Sequence, residues 1–180
     1  LWFPETVDGL ILTSPAVAFR SSGLLLKILQ RFMSLVAPHR TLKLPRNKDQ
    51  VCSDPVLIRD YLGDPLCHHR ASAAFAGALE QGRRELIPFG HVLDRPILLL
   101  EAADDTVVDP EGAEALWSAV KPGFLERHRL AGFKHEILHD LHRAEAHAIA
   151  EAWLNCLLEQ WHGNPKALAV MFNKEPQESQ

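Results

Sequence analysis

The run Pro96-Ile-Leu-Leu-Leu100 has no polar side chain and is closed at once by Glu101. A run this short and this apolar fits a strand covered on both faces rather than a helix. Such strands sit in parallel sheets flanked by helices, which narrows the chain to the α/β class. Gly9 to Ser14 (GLILTS), bounded by Gly9 and Pro15, has the same form.

The stretch between these two strands reads as helical. Ser21 is placed to cap a helix running to about Val36, with Leu25, Ile28, Leu29, Phe32 and Val36 at helical spacing. His39 to Asp54 is polar and basic, contains Pro45, and reads as a loop. Asp54 to Arg84 holds short helical patterns broken near Gly63 and Pro65. After the second strand, Asp109 is placed to cap a helix with Pro110 at its first position. Ala113, Leu116, Trp117 and Val120 form its apolar face, and Pro122 ends it. Phe124 to Leu130 reads as a third strand in spite of its polar centre, Arg127-His128-Arg129. A long helix is predicted from about Asp140 to Trp161, with Ile149, Ala152, Trp153, Cys156 and Leu157 as its buried stripe. Gly163 and Pro165 stop it. The expected division is a core strand and the start of a cap at 1–18, a helical insertion at 19–88, an α/β core at 89–172 and a disordered tail at 173–180.

Composition removes several function classes. The 180 residues are 47% apolar and 23% charged with a formal charge of −4, which is globular and lacks the basic stripe that a nucleic-acid surface needs. No nucleic-acid partner is expected. The longest apolar runs are far too short to cross a bilayer, and no signal peptide precedes them. The three cysteines, Cys52, Cys67 and Cys156, fit neither a disulfide framework nor a zinc ribbon. They read as reduced thiols of a cytoplasmic protein. The chain begins at Leu1 and runs directly into a strand, so an upstream portion is expected.

Chemistry concentrates after the second and third strands. Glu101-Ala-Ala-Asp104-Asp105 follows one buried strand directly, where open α/β sheets place their sites. Gly132-Phe-Lys-His135-Glu136 follows the next. An Asp and a His at neighbouring strand ends can form the orienting pair of a catalytic triad. Two plainer readings compete: acids that only cap the next helix, and one surface histidine among ten. A third reading is zinc. His135-Glu136-x-x-His139 matches H-E-x-x-H, with Glu159 as a possible third ligand, and would serve a metal-dependent hydrolase if it lay on a helix. Gly132 argues for a loop there instead. His68 and His69 read as a solvated loop. No metal and no cofactor are expected.

Five segments, taken in order, resemble the monoacylglycerol lipase and lysophospholipase branch of the α/β-hydrolases. They are Gly9 to Ala16, Ser53 to Leu66 (SDPVLIRDYLGDPL), Pro96 to Leu100 with Asp105-Thr-Val-Val-Asp-Pro110, the Phe133-Lys-His-Glu-Ile137 turn, and the last helix. The resemblance implies the C-terminal part of that fold, with 19–88 as a helical cap. It implies Asp105 as the triad acid and His135 as the triad base of an esterase or lipase working through an acyl-enzyme on a lipid-like ester. Glu101-Ala-Ala-Asp104 stands where the family has a Gly-rich loop, which leaves Asp104 as a rival acid. The nucleophile serine belongs to G-x-S-x-G, which occurs nowhere in these residues and precedes the acid in this fold. Ser14 is followed by Pro15 rather than by a helix-opening turn and is not the nucleophile. The 180 residues alone are therefore expected to be inactive. Leu24, Leu25, Leu29 and Phe32 are expected to pack on the core and partly line a pocket; transient contact with a membrane surface, with Lys27 and Arg31 beside lipid phosphates, is the alternative. A non-catalytic fragment is the remaining alternative.

Overall fold

A computed structural model describes residues 7–18, 32–43, 51–67 and 70–161. The elements run β1 (Leu10–Thr13), β2 (Thr41–Lys43), α1 (Pro55–Gly63), β3 (Arg70–Ser72), α2 (Ala73–Leu86), β4 (Ile97–Ala102), α3 (Glu114–Trp117), β5 (Leu125–Leu130) and α4 (Arg143–Trp161). Short 3-10 segments occupy Ile87–Val92, Glu111–Ala113 and Ile137–His139.

β4 carries the architecture. Every one of its residues is buried, because it lies between β1 and β5 and is covered on both faces. Both neighbours are parallel to it, with Leu10 opposite Ile97 on one side and Ile97 opposite Leu125 on the other. Successive side chains of a strand point to opposite faces. Leu98, Leu100 and Ala102 accordingly pack with Leu130, Phe133, Ile137, Ala146, Trp153 and Leu157, under α4. Ile97 and Leu99 pack with Val17, Ala113, Leu116, Trp117 and Val120, under α3. Two apolar faces explain the unbroken apolar run in the sequence. Because the strands are parallel and in register, the loops after β1, β4 and β5 emerge at one end of the sheet.

The insertion differs from the sequence expectation. Thr41–Lys43, inside the stretch read as a loop, is a strand that pairs antiparallel with Arg70–Ser72, with Leu42 opposite Ala71. The ribbon pairs with itself and not with the main sheet. The Arg70 guanidinium adds hydrogen bonds of 3.1 and 2.7 Å to Thr41 Oγ1. Strands this short show no readable alternation, which is why the pattern missed them. The helices α1 and α2 have local causes. Asp54 Oδ1 accepts from Val56 N at 2.9 Å at the start of α1, with Pro55 in the first turn, and Ser72 Oγ accepts from Phe75 N at 3.1 Å at the start of α2. Most of the helix predicted from Ser21, including Leu24, Leu25, Lys27, Leu29 and Arg31, lies outside the described residues. So do His68, His69 and the tail. Residues 32–36 are helical, with Phe32 and Val36 exposed.

Two helix boundaries are also corrected. The segment after Asp109 opens as the 3-10 turn Glu111–Ala113, entered from Pro110 without a side-chain cap, before the single turn of α3. Asp109 contributes its backbone N–H, donated to Ala18 O at 2.9 Å. α4 begins at Arg143 rather than Asp140. Its buried stripe is Ala146, Ile149, Ala150, Trp153 and Leu157, while Ala152 and Cys156 face outward. Among the described residues, no helix is long and apolar enough to cross a membrane.

Candidate active site

Asp105 is delivered by the turn that ends β4. Ala103 N extends the ladder to Leu130 O at 2.9 Å, and Asp104 N reaches Phe133 O at 3.1 Å. These bonds tie the acidic loop to the loop after β5. The Asp105 side chain then folds back on its own loop. Its Oδ1 accepts from Val107 N at 2.8 Å and from Val108 N at 3.0 Å. Val107 and Val108 therefore supply backbone donors rather than only a motif. The carboxylate is 1% exposed.

His135 arrives on the neighbouring loop. Gly132 takes φ 78°, a left-handed conformation that suits glycine, and reverses the chain after β5. Phe133 anchors the loop in the core. The His135 ring is left at the sheet end, 24% exposed, with Nδ1 2.9 Å from Asp105 Oδ2. The second ring nitrogen, Nε2, is not used by Asp105. A neutral imidazole donating from Nδ1 leaves Nε2 as an acceptor, which is the tautomer a general base requires.

The electrostatics follow from this geometry. Burial works to raise the Asp105 carboxyl, but hydrogen bonds from His135, Val108 and Val107, with the histidine's charge, hold it below its ordinary value. The Asp105 hydrogen bond raises His135; burial opposes the rise, and the Asp105 and Glu136 charges add to it. Asp104, the rival acid, is exposed, and its bond to this loop is made by the backbone. Of the two acids, the structure brings Asp105 to His135.

The zinc geometry does not form. Glu136 has φ −84° and ψ 68°, outside the helical region, and residues 137–139 make one 3-10 turn. Histidines at i and i+4 share a face only on an α-helix. His135 Nδ1 faces Asp105, whereas His139 Nδ1 lies 3.5 Å from Glu136 Oε2 in an exposed pair. Glu159 is exposed on α4. Among the described residues, no group of three or more His, Cys, Asp and Glu side chains could hold a metal ion. Cys52, Cys67 and Cys156 form no disulfide, and burial pushes the Cys52 thiol up.

Sequence reading missed the partners of two acids near the site. Glu101 is buried, and Arg127 meets it at 2.7 and 3.2 Å while also reaching Glu114 at 2.8 Å. Arg127 is opposite Leu99, so it lies diagonal to Glu101 on one sheet face. That period-two relationship was available once both strands had been recognised. Asp140 is fully buried and was read as part of a helix. Ser14 stands after β1 with φ 39°, its hydroxyl buried. It borders a cavity of about 10 Å³ with Glu101, Asp105, Asp109 and Trp117.

Comparison with known proteins agrees with this architecture. The structure is similar to a monoacylglycerol lipase from Paleococcus ferrophilus, with 22% identity and a TM-score of 0.78, over 86% of this chain and 61% of that one. It is similar to a soluble variant of the monoglyceride lipase from Saccharomyces cerevisiae, with 16% identity and a TM-score of 0.75, over 86% of this chain and 55% of that one. An uncharacterized abhydrolase domain-containing protein of Dictyostelium discoideum is 26% identical over 114 residues, which are 62% of this chain and 12% of that protein. The chain thus spans about 60% or less of the length of these relatives. Residues 3–142 match the family described as serine aminopeptidase, S33. With that match over most of its length and this sheet, the chain belongs to the S33 serine aminopeptidase family and has an α/β-hydrolase fold.

Proposed function

We propose that the protein is a serine hydrolase that cleaves carboxylic esters of lipid-like alcohols through an acyl-enzyme. The observation that carries the reading is the 2.9 Å contact between His135 Nδ1 and a buried Asp105 carboxylate whose other oxygen is held by two backbone N–H groups. A structural ion pair needs no free ring nitrogen at a sheet end. A base for a nucleophile does.

In this reading His135 Nε2 takes the serine proton as the serine oxygen bonds to the ester carbonyl carbon. The same proton then passes to the leaving alcohol as its C–O bond breaks. A water, deprotonated by His135, repeats the attack and releases the acid and the serine. Asp105 keeps the imidazole oriented and stabilises its cation. No G-x-S-x-G occurs in the 180 residues, so the nucleophile lies outside them on this reading, and the 180 residues alone are inactive. Residues 19–88 serve as a cap over the acyl site. The exposed Phe32, Leu35, Val36, Leu66 and Phe75 support transient contact of that cap with a membrane surface from the cytoplasmic side.

The test uses the full-length protein, a fluorophosphonate probe, and a panel holding a monoacylglycerol, a lysophospholipid and an aminoacyl anilide. The expected result is probe labelling at one serine and turnover of the lipid esters, both lost in His135→Ala. Turnover unchanged in His135→Ala would sink the proposal. Turnover of the anilide alone would replace the ester by an amide.

A further inference from the structure

Both neighbours of His135 are tied to the insertion. The N–H of Glu136 donates to Val51 O at 2.8 Å. The N–H of Lys134 donates to Asp140 Oδ2 at 3.1 Å, and that same oxygen accepts from Ser53 N at 3.2 Å. Asp140 Oδ1 accepts from Leu141 N, and Arg143 Nη1 bridges Asp140 O at 3.3 Å and Asp54 Oδ2 at 3.2 Å. Cys52, in the middle of the docked segment, is buried.

A carboxylate that only capped α4 would spend its oxygens on the helix's own first amides. Asp140 does not. None of its three donors belongs to that helix: Leu141 is its own neighbour, Lys134 comes from the histidine loop and Ser53 from the insertion. Bonds to a buried carboxylate are charge-assisted, and removing the acceptor strands two backbone donors away from water. The histidine loop therefore has its full set of partners only while residues 51–54 are seated. α1 starts at Pro55, directly after them, and Asp54 caps it.

We propose that Asp140 is a positioning residue for His135: it docks residues 51–54 of the insertion onto the loop 133–137, so that His135 is held beside Asp105 only when that segment is seated. The effect on turnover rests on the reading of His135 as the catalytic base; the docking does not. Displacement of α1 would in this way release the histidine, which couples the insertion to the site through the backbone of the histidine loop.

The experiment is hydrogen–deuterium exchange on the full-length protein and its Asp140→Ala and Asp140→Asn variants, with the His135 Nδ1 proton followed by NMR. In Asp140→Ala, exchange should rise about tenfold or more in the peptides covering 51–54 and 133–137 together, the scale of stranding two charge-assisted donors. The strand 97–102 should stay protected, and the His135 proton signal should broaden or vanish. Asp140→Asn keeps one oxygen for Ser53 and Lys134 but turns an amide toward Leu141 N–H, so it should lie between wild type and Ala. Opening of only one segment, opening of neither, or an unchanged His135 signal with both open would overturn the proposal. So would loss of protection in 97–102 in both variants, which would make Asp140 a general support of the fold. Intact turnover in His135→Ala would end the catalytic reading and leave the exchange result standing. Segments that fail to open together would end the positioning role alone.

Discussion

Asp105 meets His135 through one carboxylate oxygen at 2.9 Å, while its other oxygen is held by the backbone of Val107 and Val108. The acid is thus oriented before the histidine arrives. Asp104, one residue away, is exposed and lacks this setting. Under the proposed function, Asp105→Asn should lower kcat on a p-nitrophenyl ester by about 10⁴-fold and His135→Ala by about 10⁶-fold, the scale of losing a triad acid or a triad base. Asp104→Asn should stay within about twofold, as a surface change does. Equal losses at Asp104 and Asp105, in variants with unchanged melting, would move the acid.

The shifts at this pair give two pH dependences of opposite sense. His135 is raised above 6.5, so its contribution to stability is fully present below 6.5 and is lost as pH rises through its folded value. Asp105 is lowered below 3.8, so its contribution is present above 3.8 and is lost as pH falls through its folded value. The pair stabilises the fold most between those values. Turnover needs neutral His135, so the acid limb of kcat/KM should lie above 6.5. In Asp105→Asn that limb should move to lower pH. Imidazole titration by NMR checks both statements, and a wild-type value at or below 6.5 would contradict them.

The sequence made β4 legible because both of its alternating sets are apolar. β5 was harder, since its exposed side is polar and Arg127 belongs to Glu101 across the sheet. β2 and β3 were not legible, because three-residue strands carry no period. On α4, alanines and leucines occupy several faces, so Ala152 and Cys156 matched a stripe that the tertiary packing assigned to Ala146, Ile149 and Ala150. Asp105 and His135 could be chosen from strand-end position and motif. Asp140 could not: its donors at Ser53 and Lys134 are brought to it only by the fold. The caps Asp54 and Ser72 are readable in the sequence, since helix-cap chemistry is local.

Arg127 offers a stability test away from the histidine. It is 30% exposed, but Glu101 beneath it is nearly inaccessible. Removing one partner of a buried pair leaves the other charge uncompensated. Arg127→Ala should therefore destabilise the protein by about 3 kcal/mol, the lower end for such pairs because the arginine is partly solvated. Arg127→Lys keeps the charge and loses the fork, and should fall between. Urea unfolding measures the series; an Ala variant within error of wild type would show that Glu101 is not held by this pair.

The H-E-x-x-H segment predicts little affinity for zinc. Its two histidines are separated by a non-helical Glu136 and a 3-10 turn, and one imidazole is engaged with Asp105. Metal analysis of the purified full-length protein should find zinc well below stoichiometric, and chelation should leave ester turnover unchanged. Stoichiometric zinc that is lost together with activity, and restored by His139-containing but not His139→Ala protein, would reverse this reading.

Two glycines should answer oppositely to the same substitution. Gly90 lies in the turn Ile87–Val92, which passes close against α3: a Cβ there would stand 2.3 Å from Leu116 O and 2.8 Å from Ala119 Cβ. The carbonyl cannot swing aside freely, because it accepts from Ala119 N at 3.2 Å. Gly82 is exposed within α2, and a Cβ there meets nothing within 4 Å. Gly82→Ala should raise stability by about 0.5–1 kcal/mol, the helix propensity difference. Gly90→Ala should lower it by about 1–3 kcal/mol through overpacking. Because both variants add one methyl group, unfolded-state effects largely cancel between them. Urea midpoints that move in the same direction for both would mean that the packing of the turn against α3 is looser than these distances require.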